Sequence, residues 1–167
     1  MKHSLVYRDA QIEDLPAIVE IYNSIVASRM VTADTDPVTV EQRIDWFQEH
    51  RPERRPVWMV ETTEGKIVGW VSFSDFYGRP AYNGTAEVSI YLHEDFRGQG
   101  LGRPVLTHAI EAAPGLGITT LLGVIFSHNI PSIQLFKKMG FQEWGQFPDI
   151  AELDGIKRSV TILGKQL

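Results

Sequence analysis

Cysteine is absent from the 167 residues, which removes disulfides, thiolate metal sites and a cysteine nucleophile at once. No apolar run approaches the roughly 20 residues that span a bilayer, and the N-terminal MKHSLVYRD has no apolar signal segment. The expected location is therefore the cytoplasm, with no membrane as a partner. Positive charge is in deficit: the formal net charge is −5, which weighs against nucleic acid as a partner while leaving room for a local basic patch. His3, His50, His93, His108 and His128 show no metal-ligand spacing, so no metal is expected. Internal repeats, low-complexity tracts and linkers are missing as well. What is present is 43% hydrophobic and 22% charged, an ordinary globular balance, and residues 1–167 are expected to form one domain whose core needs no staple.

The chain is organised around residues 85–106, TAEVSIYLHEDFRGQGLGRPVL. The first half alternates, with Val88, Ile90 and Leu92 pointing one way and Glu87, Ser89 and Tyr91 the other; this is a strand with one dry and one polar face. The second half carries Gly98, Gly100 and Gly102, flanked by Arg97 and Arg103. Helical periodicity starts at Leu101 and runs through Val105, Leu106, Ala109, Ile110 and Ala113, with Pro104 suited to a first turn. Strand, glycine loop and helix follow in that order. Glycines let backbone approach a ligand closely, and a helix start adds positive partial charge, so the loop suits phosphate oxygens. A P-loop is excluded because Gly102 is followed by Arg103 and Pro104 rather than Lys and Ser or Thr. A dinucleotide site is excluded because the next strand ends in Phe126-Ser127-His128-Asn129, without an acid.

Around this centre the remaining elements read in order. Residues 4–8 are a strand, and Asp9 or Asp14 caps the helix whose apolar face is Leu15, Ile18, Val19, Tyr22, Ile25 and Val26. Tyr22 and Asn23 at its far end are its members nearest a pocket. Residues 29–38 lack periodicity and form a loop. Thr39 and Gln42 make a capping box for a helix to about His50, anchored by buried Trp46 and Phe47. Residues 50–56, HRPERRP, read as a solvated turn without a function. Residues 57–61 and 66–76 form a hairpin around Thr63-Glu64-Gly65, with Gly69 marking a bulge or a close backbone approach. Residues 77–84 form a loop, and Pro114, Gly115 and Gly117 stop the helix after the glycine loop. Residues 119–126 suit a strand covered on both faces. Asn129 is an N-cap, Ile133, Phe136 and Met139 line a short helix, and Gly140 ends it. Residues 141–147 and 159–164 are strands around an irregular 148–158 segment. The sum is an α+β chain with a mixed, mostly antiparallel sheet of six or seven strands and about four helices.

Arg97, Gly100 and Gly102 in R-x-x-G-x-G, then Asn129, Ser132 and Lys137-Lys138-Met139-Gly140-Phe141 after the next strand, resemble the two signatures of the GCN5-related N-acetyltransferase (GNAT) superfamily. The resemblance implies an α/β/α sandwich in which the Glu87 and Phe126 strands run parallel and splay apart, with acetyl-CoA in the cleft as co-substrate. Ile21-Tyr22-Asn23, Arg79-Pro80-Ala81-Tyr82 and 85–91 (TAEVSIY) narrow it to the phosphinothricin and methionine sulfoximine acetyltransferase group. Members of that group acetylate the α-amino group of small amino-acid analogues, methionine sulfone among them.

The same resemblance assigns roles by position. Glu87 is the general base and contacts the substrate. Arg79, Pro80, Ala81 and Tyr82 meet the substrate's carboxylate and side chain, and Tyr91 either guides substrate or packs. Ile90, Tyr91 and Leu92 are the pantetheine strand; Arg97, Gly98, Gln99, Gly100, Leu101, Gly102 and Arg103 form the pyrophosphate loop. Asn129, Ser132 and Lys138 complete the cofactor contacts, and a homodimer is implied by analogy. Phe136 departs from the histidine that some members carry, and phenylalanine transfers no proton, so the general acid has no assigned residue. His128 is the one histidine near this chemistry and reads as a loop residue. The competing functions are acetylation of a peptide or protein N-terminus or another amine, and a non-catalytic acyl-CoA-binding module.

Overall fold

A computed structural model of the chain describes residues 4–167, and its seven strands form one sheet in the order β1-β2-β3-β4-β5-β7-β6. β1 (Leu5–Asp9), β2 (Val57–Thr62), β3 (Ile67–Asp75) and β4 (Thr85–Leu92) pair antiparallel in succession. β5 (Thr120–Phe126) lies parallel to β4, but only Thr85↔Thr120, Ala86↔Leu121 and Glu87↔Leu122 pair before the two strands part. β5 then pairs along its whole length with β7 (Ile156–Gln166), and β6 (Gln142–Leu153) forms the outer edge. The parallel, splayed pair expected from the family resemblance is present.

Strand alternation decides where the helices go. Trp58 and Val60 of β2, Val71 and Phe73 of β3, and Val88 of β4 face a core shared with α3 (Gly102–Ala112) and α4 (Ile130–Lys138). Val57, Met59 and Trp70 point the other way, against α1 (Leu15–Val26) and α2 (Val40–Gln48). Two helices thus cover each face, giving the expected layered arrangement. The predicted α1 face is buried in full, as are Val105, Leu106, Ala109 and Ala113 after the glycine loop. Gly69 is a close approach: a Cβ there would collide with the Tyr91 carbonyl oxygen.

Several expectations need correction. Asp9 ends β1, and Asp14, although it stands at the N-cap of α1, directs its carboxylate to Arg8 (2.8 Å) and the Gln11 amide (2.7 Å). The Thr39–Gln42 capping box forms, but Trp46 and Phe47 are only half-buried because α2 lies at the rim of the core. The 50–56 connection is not merely solvated, since Arg55 is buried in it. Pro114 and Gly115 do not stop α3 directly; they sit in a 3-10 turn (Ala113–Leu116) that Gly117 closes at φ 75°. The 148–158 segment is largely strand: β6 absorbs Pro148, Asp149 and Ile150 as a register shift between Phe147 and Ala151, and Asp154-Gly155 turns the chain into β7 with both residues at positive φ.

Candidate active site

Where β4 and β5 separate, a cleft of about 400 Å³ opens, a size suited to a small-molecule ligand. Its walls are Glu87 to Leu92 of β4, Val124 to Phe126 of β5, and Asn129, Ser132, Leu135 and Phe136 at the start of and along α4. Past Glu87 and Leu122 neither strand supplies the other with a ladder partner, so one edge of β4 faces the cleft ready for an amide-bearing ligand. The strand expected to be covered on both faces is open here, and Val124 is 42% exposed.

Glu87 stands at the apex, in the last residue pair of the parallel ladder, and half-buried in the cleft wall. Burial pushes its carboxyl above the ordinary carboxylate range, and among the described residues no ion pair offsets that shift. Tyr91, two positions past Ser89 on the same face, packs between Tyr22 (ring centroids 5.5 Å apart) and Trp70 (4.5 Å) while also lining the cleft. Burial raises its phenol pKa strongly, with Tyr22 and Glu87 adding to the effect, so it remains neutral. Tyr91 thus packs and also borders the cleft.

The glycine loop leads from the far end of β4 into α3. Gly98 and Gly100 hold φ of 72° and 74°, and a Cβ on either would meet no atom within 4 Å, which leaves open space over the backbone. These left-handed conformations favour glycine and turn the chain into the helix start, where backbone N–H groups suit an anion. Leu101 is buried beneath the loop, Gly102 begins α3 and borders the cleft, and Arg103 is exposed. Arg97 is a tie rather than an open cation: Nε donates to the Leu92 carbonyl (2.9 Å) and Nη2 to Ser24 Oγ (2.6 Å). Gln99 donates to the Asp95 carbonyl at 2.9 Å. Asn129 caps α4 through Ser132 N (3.4 Å), and Lys138 lies exposed outside the cleft wall.

Arg79, Pro80, Ala81 and Tyr82 are brought together on an exposed loop with a 3-10 turn (Pro80–Tyr82), but they do not line the cleft. The loop joins β3 to β4 at the end where Glu87 lies, opposite the glycine loop. Asn23, by contrast, is taken up by a two-way pairing with the Val38 backbone (2.8 Å each way) and does not line the cleft.

Sequence reasoning missed one wall. Met30, Val31, Thr32 and Ala33 of the aperiodic loop line the cleft. The loop is fastened by Asn129 Nδ2 to the Met30 carbonyl (3.1 Å), His128 Nε2 to the Arg29 carbonyl (2.9 Å) and Arg29 to Asp154 (2.7 Å). On its other side Tyr22 hydrogen-bonds Thr32 and Asp34. Phe136 was also missed as a wall residue: its ring packs on Gly123, where a Cβ would fall 2.6 Å away. No group of three or more histidine or acidic residues able to hold a metal occurs among the described residues, and His3 lies outside them. No helix there is long and apolar enough to cross a membrane.

With this geometry in place, the likeness to known proteins is specific. The family model described as "Acetyltransferase (GNAT) family" matches residues 18–141. "Putative phosphinothricin acetyltransferase YwnH" of Bacillus subtilis is 54% identical over 163 residues, covering 98% of this chain and 99% of that protein. The L-methionine sulfoximine/L-methionine sulfone acetyltransferase of Pseudomonas paraeruginosa is 33% identical over 148 residues, covering 89% and 86%. A crystal structure of a GNAT superfamily phosphinothricin acetyltransferase from Sinorhizobium meliloti, in complex with AcCoA, superposes with a TM-score of 0.90 at 27% identity, covering 100% of this chain and 89% of that one.

Proposed function

Since this chain belongs to the acetyltransferase (GNAT) family, we propose that it acetylates the α-amino group of a small amino acid or analogue of the phosphinothricin, methionine sulfoximine or methionine sulfone type. It is an acetyl-CoA-dependent N-acetyltransferase, and acetyl-CoA supplies the thioester acetyl group as co-substrate. The proposal places the pyrophosphate on Gly98 to Arg103, the pantetheine arm along Ile90 to Leu92 with Asn129 and Ser132 opposite, and Lys138 near the nucleotide end. Arg97 serves this loop by tying it to Leu92 and Ser24. The unit is the whole chain acting as one domain in the cytoplasm, without nucleic acid or membrane.

The observation that carries the reading is Glu87, a half-buried carboxylate at the vertex of the splay with its pKa raised by burial. An amino-acid nitrogen is mostly ammonium near neutral pH and must lose a proton before it attacks a thioester. Glu87 accepts that proton, directly or through a water, and a carboxyl shifted toward neutral pH is better matched to the transfer. The Leu92 amide, on the cleft edge of β4, is the proposed donor to the thioester oxygen. Tyr91 walls the site on the Glu87 side. No side chain is assigned as general acid, because Phe136 offers no proton.

At the other end, Arg79 grips the substrate carboxylate, with Pro80 and Ala81 shaping the loop and Tyr82 contacting the side chain. Acetyl transfer to a free amino acid and to its carboxamide decides the matter. Wild type should strongly prefer the acid, and Arg79→Ala should cost about 2–5 kcal/mol in kcat/KM on the acid but almost nothing on the amide, which has already lost the contact. Equal rates on acid and amide would replace this substrate with a peptide N-terminus or another amine. A second copy of the chain is the proposed macromolecular partner: β6 is an edge strand with Trp144, Phe147 and Ile150 at 43%, 47% and 63% exposure. Sedimentation at the mass of a single chain would remove that partner.

A further inference from the structure

The loop that carries Arg79 is exposed from Phe76 to Asn83, yet one buried guanidinium holds both of its ends. Arg55 is 4% exposed. Its Nε donates to Asp75 Oδ1 at 2.9 Å, on the last residue of β3, and its Nη2 donates to the Asn83 carbonyl at 2.6 Å, two residues before β4. Nη1 serves the Arg54 carbonyl at 2.9 Å, and the other Asp75 oxygen takes Arg54 Nη1 at 3.0 Å. Asp75 is the one carboxylate on this guanidinium among the described residues, and desolvation lowers the arginine's pKa. Burying such a group stabilises a fold weakly at best, so the arrangement asks for a reason beyond stability.

Geometry supplies one. The register Ser74↔Glu87 and Asp75↔Ala86 puts the clasp beside the residue at the vertex of the cleft. The loop's exit is tied down as well, because the Gly84 carbonyl accepts from the amides of Thr119 (2.8 Å) and Thr120 (3.1 Å) at the start of β5. We propose that Arg55 is a positioning residue for the amine substrate: by clasping Asp75 to Asn83 it fixes where Arg79 and Tyr82 stand relative to Glu87. This rests on the assignment of Arg79 to the substrate made above.

A lysine at this position satisfies Asp75 or one carbonyl, not all of them. Arg55→Lys should raise KM for the amino acid by about 10- to 100-fold, the scale of an ångström-level misplacement, and leave KM for acetyl-CoA unchanged. Asp75→Asn, which keeps an acceptor and loses the charge, should shift the same constant in the same direction by less, and it serves if Arg55→Lys does not fold. On an Arg79→Ala background, Arg55→Lys should add almost nothing. The proposal is overturned if both KM values rise together, if the melting point falls without a selective change in amine KM, or if the two effects multiply. An Arg79→Ala variant with wild-type amine kinetics removes the substrate assignment and this inference with it. An amine-sensitive Arg79→Ala beside an amine-insensitive Arg55→Lys removes this inference alone.

Discussion

At the C-terminal end of β4 the cleft presents main chain on one side, facing the side chains of α4: an unpaired strand edge, a loop with glycines at φ 72° and 74°, and the first turn of α3. At and beyond its N-terminal end stand side chains: Glu87 in the strand and cleft wall, then Arg79 and Tyr82 on an exposed loop that does not line the cleft, with Arg55 clasping the two ends of that loop. The first end, assigned to acetyl-CoA, recognises its ligand mainly through main chain, with Asn129, Ser132 and Lys138 in support, because the N–H groups of a helix start depend little on residue type. The second end, assigned to the amine, depends on which side chains the loop presents. One end is therefore suited to a ligand shared across a family, and the other to a ligand that varies within it.

Glu87 belongs to the second end but sits where the two meet, and its removal tests the comparison most severely. Glu87→Gln should lower kcat by about 10²–10⁴-fold, the usual worth of a positioned base, while the thermal shift produced by CoA stays at the wild-type value. The deficit should shrink as pH rises, because more of the amine is then already neutral. Activity within a few-fold of wild type across roughly pH 6 to 9 would take Glu87 out of the mechanism and leave the amine end without a base.

The opposite lesion breaks the other end. Gly100→Val places a branched side chain in a left-handed conformation, a strain of about 1–2 kcal/mol, and fills the open space above the loop. At CoA near 100 times the wild-type Kd, binding stabilises the folded chain by about 2.7 kcal/mol. The folded variant should lose most of that gain in a thermal-shift measurement. Retention of the full shift would move the phosphates elsewhere and erase the distinction between a backbone-built end and a side-chain-built one.

The same division explains what the sequence disclosed. The glycine spacing at Gly98, Gly100 and Gly102, the alternation of 85–92 and the Asn129 cap are local signals, each set by a few neighbouring residues, and all were legible. The parallel splay came through family likeness rather than spacing, because where a ladder stops depends on residues 35 positions apart, Glu87 and Leu122. The loop at 29–34 gave no sign of folding over the cleft, since Tyr22 holds one side of it but the fastenings that draw it to the α4 side come from His128, Asn129 and Asp154, 99 to 125 residues away. Arg55 was hidden for the same reason: HRPERRP has the composition of a solvated turn, and only its partners at Asp75 and Asn83 reveal a buried role. Asp154-Gly155 was a readable hairpin turn, obscured by Pro148 and Asp149, which break the alternation before it.

The smallest expected effect concerns stability rather than rate, and it separates the two ends by sign. Burial raises the Glu87 pKa, so the folded chain keeps that proton to higher pH than the unfolded chain does. As pH climbs from the ordinary carboxylate value to the raised one, the unfolded state sheds the proton first and stability falls; above the window the loss is complete. Asp75 and Asp14 run the other way. Arg54 and then Arg55 lower the first, Arg8 lowers the second, and the stability each supplies is present above the ordinary carboxylate value and lost as pH falls through the lowered one. The windows do not overlap, so a single substitution reads Glu87 alone. Glu87→Gln should match wild type in urea midpoint near pH 4 and exceed it near pH 7, pH values chosen to bracket the carboxylate range roughly. The variant would then be more stable and nearly inactive, as expected when a site holds a group in surroundings chosen for chemistry rather than for folding. A midpoint difference that stays flat with pH would mean that Glu87 is solvated like any strand glutamate, and its role as base would then rest on its position and the kcat test alone.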